Sequence, residues 1–165
     1  MNTLNDEMLK DAKTPEQTIV IKTELILPSM ANLMNNLQGG QMMHFMDIAG
    51  ALTCRRHSGY EVATVSVDKI EFKDSVKVGE VVTITSKLIW VGRSSMKVKI
   101  DAVSENLKSG KSRLTNTAYF TFVALDDFAR PVCVPRLLPQ TKEEIEIFNR
   151  EQAEYERKKN NKQKT

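Results

Sequence analysis

The sequence predicts an α+β domain in which a long antiparallel β-sheet wraps around one helix. Three observations carry this. Residues 40–57 form an almost unbroken run of helix-forming, mostly apolar residues, four long segments rich in β-branched and aromatic residues follow, and each connection between those segments is short. Short connections make successive strands antiparallel neighbours, because a parallel pair needs a crossover of a dozen or more residues.

Residues 1–15 read as a loose arm of polar and mixed-charge residues. Residues 17–26 (QTIVIKTELI) alternate apolar and polar side chains, the period of a half-buried strand. Pro28 and Ser29 end it, and 29–38 (SMANLMNNLQ) is a polar, turn-prone loop. The run 40–57 (GQMMHFMDIAGALTCRRH) is too long for an ordinary strand and stops near Ser58 and Gly59. Its apolar residues occupy nearly every face, which predicts a helix buried all round. Arg55, Arg56 and His57 suit the negative end of its dipole.

The strands are expected over 61–73, 80–91, 95–104 and 112–125, with turns at Lys77–Gly79, Gly92–Arg93 and Ser109–Gly110. A surface-lying helix is expected from Glu143 to Lys159, capped by Thr141 with Glu144 three residues on. The domain plan is therefore an arm at 1–15, one domain at 16–138, and a helix with a basic tail at 139–165.

At 41% hydrophobic residues the chain can bury an ordinary core, and wholesale disorder is excluded. No apolar run approaches the roughly 20 residues that span a bilayer, and the first residues lack the apolar centre of a signal peptide. Cys54 and Cys133 form neither a disulfide framework nor a metal-ligand spacing. These features favour a reduced, cytoplasmic setting. The net charge of +3 is too small to argue for nucleic acid, and most of it sits in Arg157, Lys158, Lys159, Lys162 and Lys164.

Asp47 is the chemical anomaly of the long helix. An ionised carboxylate among apolar residues is expensive unless partnered, so it is either satisfied by amides, an arginine or solvent, or held for chemistry. His44 and His57 lie thirteen apart and form no metal motif, and Cys54 reads as a small core residue. The methionines could line a channel for a flexible apolar ligand, but core packing is the commoner use.

The run ANLMNNLQGGQMMHFMD places Asn32 in a loop, Gly39 and Gly40 at a helix start and Asp47 inside the helix. Together with VATVSVDKIEF, the VGRSSMKVKI hairpin and TNTAYFTFVALD before a Pro-containing segment, it resembles the hotdog-fold acyl-CoA thioesterases that include the cytosolic and brain acyl-CoA hydrolases. The resemblance covers roughly residues 17–135. One departure is Asn35, where the family often has Gly; Asn is the next-best residue for a left-handed backbone, so the turn is expected to survive.

The resemblance implies a hotdog fold and hydrolysis of fatty acyl-CoA to free acid and coenzyme A. It implies no metal or redox cofactor, coenzyme A entering only as part of the substrate. It implies Asp47 as general base or nucleophile, with Thr64 helping to place the carboxylate or water. Asn32 would orient water or thioester, and the Gly40 amide, beside Gly39, would form the oxyanion hole. Arg93, Ser94 and Ser95 at a hairpin turn become candidates for coenzyme A contacts. Asp47 lies seven residues past Gly40, about 10 Å along a helix. A reacting carbonyl must sit about 3 Å from both attacker and oxyanion donor, so one helix cannot easily supply both. Two helices paired in opposite directions can, in agreement with the family's active site at a dimer interface. The implied partners are acyl-CoA and a second copy of the chain, assembling as a trimer of dimers, with no nucleic acid and no membrane. The rival readings are an acyl-CoA-sensing hotdog domain without turnover, a hotdog dehydratase and a pure interaction protein.

Overall fold

A computed structural model describes residues 11–162. Its elements are β1 (Val20–Leu25), α1 (Gly39–Ser58), β2 (Glu61–Phe72), β3 (Val81–Val91), β4 (Ser95–Asn106), β5 (Lys111–Leu125) and α2 (Lys142–Lys162), with 3-10 turns at Pro15–Thr18 and Pro28–Met30. All five strands form one antiparallel sheet in the order β1–β3–β4–β5–β2. This is the predicted hotdog arrangement, with α1 laid along the inner face, except that β2 pairs with β5 rather than with its successor β3 and so closes the far edge of the sheet.

Strand alternation builds the seat for α1. Val82, Ile84 and Leu88 of β3, Met96, Val98 and Ile100 of β4, and Ala118, Phe120 and Phe122 of β5 are all buried on that face. Against them α1 presents Met42, Phe45, Met46, Ala49, Thr53, Cys54 and His57. The helix approaches so closely that a Cβ on Gly50 would stand 2.8 Å from the Phe122 ring. Only glycine fits there without displacing the ring.

The expected all-round burial of α1 does not hold within one chain. A sheet covers only one side of a helix, and the opposite face stays open, with Met43 38% and Leu52 46% exposed. Apolar side chains left on that face call for a second body to cover them.

Helix α2 crosses the outer face of the sheet. Trp90 packs against Tyr155 with ring centroids 4.9 Å apart at a tilt of 39° and donates its Nε1–H to Gln152 Oε1 at 2.8 Å. Lys97 pairs with Glu151 at 2.6 Å and Asp68 at 3.2 Å. The predicted cap is present: Glu144 N–H donates to Thr141 Oγ1 at 3.1 Å, and Thr141 N–H to Glu144 Oε2 at 3.2 Å. The helix runs to Lys162, so part of the expected tail is helical.

Residues 1–10 of the expected arm lie outside the described residues, but 13–18 belong to the folded body. Thr14 and Gln17 make a capping box around the Pro15–Thr18 turn. Lys13 Nζ donates to the Arg56 and His57 carbonyls at 2.8 and 2.9 Å, a cation on the C-terminus of α1. Among the described residues, no helix is long and apolar enough to cross a membrane.

Candidate active site

The loop before α1 is folded around one side chain. Asn32 Oδ1 accepts the N–H groups of Met34 at 3.0 Å and Asn36 at 3.2 Å, and Asn35 N–H donates to the Asn32 carbonyl at 3.0 Å. Asn35 takes φ 59°, the left-handed backbone expected of it. The Asn32 amide nitrogen has no partner among the described residues and keeps its donors free.

Helix α1 then starts without a side-chain cap, because Gln38 turns its amide to the Ala31 carbonyl at 3.0 Å. The first intrahelical bond comes from Met42 N–H to the Gln38 carbonyl at 3.1 Å. The amides of Gly39, Gly40 and Gln41 therefore face outward at the positive end of the dipole. A Cβ on Gly40 would meet nothing within 4 Å, so the side of the residue where a side chain would stand is open. Gly39 packs on Phe72, whose ring would stand 3.4 Å from its Cβ.

Two turns further on, Asp47 sits half-buried on the face of α1 that the sheet leaves uncovered. Thr64 Oγ1 donates to Asp47 Oδ1 at 2.6 Å. Neither backbone amide nor cation holds the carboxylate among the described residues, so its second oxygen is free to act. The register of β2 shifts between Thr64 and Ser66, a bulge of the kind that re-aims a side chain beside a site.

These residues fall into two groups. Asn32 and Gly39 line a cleft of about 340 Å³ with Met34, Leu37, Met42 and Phe72, and neither Asp47 nor Thr64 reaches it. The hairpin residues form a third group. Ser95 pairs with Val123, which pairs with Ala63 beside Thr64, so the turn lies two strands, about 10 Å, from Thr64. Ser95 faces the outer side of the sheet with Ser66 and Lys97, away from Asp47 of its own chain. Arg93 Nε donates to Cys133 Sγ at 3.3 Å, and its guanidinium pairs with no carboxylate among the described residues.

Sequence reasoning missed the ring around Arg93. Trp90, Phe148 and Tyr155 with Arg93, Arg136 and Lys159 line a cavity of about 600 Å³ under α2. No local pattern joins these residues; the tertiary packing of α2 does. The discounted residues stay structural. Burial pushes the Cys54 thiol up and the His57 imidazole down, and His57 Nε2 lies 2.8 Å from the Pro135 carbonyl. His44 is exposed on the uncovered face of α1.

Residues 34–111 match the family model of the thioesterase superfamily. The chain is 37% identical to the uncharacterised acyl-CoA thioester hydrolase YkhA of Bacillus subtilis, over 83% of each chain. A hexameric acyl-CoA thioesterase superposes with a TM-score of 0.85 at 33% identity, covering 91% of this chain and 96% of that one. An acyl-CoA hydrolase of Staphylococcus aureus, solved with butyryl coenzyme A and coenzyme A, superposes at 0.81 with 27% identity and 93% coverage of each chain. That enzyme has also been solved with single alanine substitutions at an aspartate, an asparagine and a threonine.

Proposed function

The chain belongs to the thioesterase superfamily and is an acyl-CoA thioester hydrolase, and we propose that each of its active sites is built from two protomers, Asp47 and Thr64 from one and Asn32 with the Gly40 amide from the other. The observation that carries this is the 2.6 Å bond from Thr64 to Asp47 on the uncovered face of α1. It fixes a carboxylate with one oxygen free, two turns away from the open helix N-terminus. The Staphylococcus aureus substitutions support the same trio. Fifteen residues separate its asparagine from its aspartate and seventeen its aspartate from its threonine, the spacings of Asn32, Asp47 and Thr64.

The thioester carbonyl oxygen would lie at the Gly40 amide, whose N–H and helix dipole take up its developing charge. Asn32 Nδ2 would donate to the water or to the thioester. Asp47 either removes a proton from water as it adds to the carbonyl carbon, or adds to that carbon itself. In both routes the C–S bond breaks and coenzyme A leaves as a thiolate that takes up a proton; in the second, water then hydrolyses the mixed anhydride left on Asp47, releasing the acid and the carboxylate. Thr64 holds the carboxylate in position throughout.

The coenzyme A arm is assigned to Arg93, Ser94 and Ser95, where an unpaired guanidinium suits a phosphate. No metal or redox cofactor enters this chemistry. The protein binds acyl-CoA and works as an oligomer; the finer assignment is a dimer closed over Met43, Leu52 and the edge strand β2, further assembled as a trimer of dimers. The hexameric relative supports it. The free thiols Cys54 and Cys133 fit the cytoplasm as the working compartment. The functional unit is assigned to 16–138, with the helix Lys142–Lys162 of the 139–165 segment bracing the outer face.

The test is release of free thiol from acyl-CoAs of graded chain length. Turnover that disappears in Asp47→Ala supports the assignment; binding without thiol release from any chain length would favour a sensor.

A further inference from the structure

Substrate carries two unlike arms on either side of its thioester, an apolar acyl chain and a polyanionic coenzyme, and the chain has two unlike cavities to receive them. We propose that the cleft beneath the N-terminus of α1 is the acyl pocket and that its shallow, partly polar floor limits the enzyme to short acyl chains. This rests on the reading of Asn32 and Gly40 as the carbonyl-binding half of the site.

The cleft begins where the carbonyl is placed. Asn32 and Gly39 line it, next to the Gly40 amide. Its apolar lining is Met34 and Phe72 at the exposed rim and Leu37, Met42 and Val76 at the buried floor, with the polar Asn36, Asp74 and Ser75 also in the wall. No cation is among its lining residues, which include the carboxylate of Asp74, and Arg113 beside it is engaged, bonding Glu80 through two nitrogens at 2.9 and 3.0 Å and Asp74 at 2.7 Å. A phosphate gains nothing there. Arg93, Arg136 and Lys159, none of which pairs with a carboxylate among the described residues, surround the other cavity, so charge sorts the arms between the two.

The floor sets the length. Leu37, Met42 and Val76 are core residues, 8%, 2% and 4% exposed, so the cleft ends on the packed interior. Among them stands Asn116, 1% exposed, directly across the sheet from Phe72. Its Nδ2 donates to the Glu71 carbonyl at 3.4 Å, while its amide oxygen has no partner among the described residues. Covering that oxygen with a long hydrocarbon tail costs free energy that a shorter chain avoids. At about 340 Å³ the cleft is also at the small end for ligand pockets.

The test is kcat/KM for acetyl- through palmitoyl-CoA by thiol release, on the wild-type protein and on Met42→Ala, Phe72→Ala and Arg93→Ala. The wild type should peak at octanoyl-CoA or shorter and fall about tenfold or more by palmitoyl-CoA. Met42→Ala, which deepens the floor, should move the peak to longer chains. Phe72→Ala, at the exposed rim and safe for folding, should weaken the preference of short-chain substrates over acetyl-CoA. Arg93→Ala should lower all chain lengths alike. A wild-type peak at palmitoyl-CoA overturns the proposal, and so does an unchanged profile in the folded variants. Absence of thiol release from every substrate is a different outcome, which overturns the hydrolase reading itself.

Discussion

Thr64 donates its hydroxyl proton to Asp47 across the gap between β2 and α1, at 2.6 Å. The bond joins an edge strand to the uncovered face of the helix, where no other group among the described residues holds the carboxylate. Asp47 is thereby oriented without being neutralised by a cation, which is what a base or nucleophile at a thioester requires. A purely structural carboxylate in an apolar helix would be expected to take an arginine or several amides instead.

Loss of this pair should show in turnover. Asp47→Ala or Asp47→Asn should lower kcat by about a hundredfold or more. Thr64→Val keeps the shape but removes one hydrogen bond to a charged acceptor, worth about 1.5 kcal/mol, and should lower kcat by about tenfold. Steady-state kinetics on folded variants checks both; near-normal turnover in Asp47→Asn rejects the role of the acid.

Arg93→Ala should chiefly raise KM. Contacts to phosphates far from the thioester bind ground state and transition state alike, so kcat should hold. Inhibition by coenzyme A should weaken in parallel. An unchanged KM with coenzyme A inhibiting as before would remove the hairpin from the binding surface.

Acid should weaken the fold through Glu80. Its buried carboxylate accepts two bonds from Arg113, one from Ser104 Oγ at 2.9 Å and one from Lys77 N–H at 2.8 Å. Bonding to Arg113 above all holds its pKa at about 2. The depressed value means that the folded state binds fewer protons than the unfolded state. Its stabilisation, on the order of 3 kcal/mol, is therefore full above about pH 4.5 and lost as pH falls through about 2. Urea unfolding from pH 7 to pH 2 should show Glu80→Gln much less stable than wild type at pH 7 and the difference closing in acid. A constant difference would contradict this.

Gly50→Ala should destabilise by about 1–3 kcal/mol, since its Cβ would stand 2.8 Å from Phe122 and 3.2 Å from Ile100 in the tightest part of the helix seat. Thermal unfolding would show it, and an unchanged midpoint would mean that the seat can yield.

The elements were legible in the sequence because strand alternation and the apolar run at 40–57 are local patterns. Each strand lies where β-branched residues cluster, and the Thr141–Glu144 cap is present as written. What stayed hidden was tertiary. The uncovered face of α1 looks in sequence like its buried face, since Met43 and Leu52 are as apolar as Met42 and Phe45; only the one-sided sheet separates them. The anchoring of Lys13 on the end of α1 spans more than 40 residues and leaves no local trace. In the site, the Asn32 turn and the open helix start were readable from the residues between Asn32 and Gly40. Asn116 and Phe72 were not, because each reads as an ordinary strand residue until the sheet pairs them.

The central claim, a site shared between protomers, is tested most directly by mixing two inactive variants. Asn32→Ala dimers and Asp47→Ala dimers each lack a complete site. A mixed dimer carries one doubly damaged site and one intact site. Unfolding the two together and refolding an equal mixture should make half the dimers mixed and restore about a quarter of wild-type activity under random twofold pairing. If Asn32 and Asp47 served the same site from one chain, every site in the mixture would carry a lesion. Activity that stays at the level of the separate variants, with mixed dimers verified, would contradict the account.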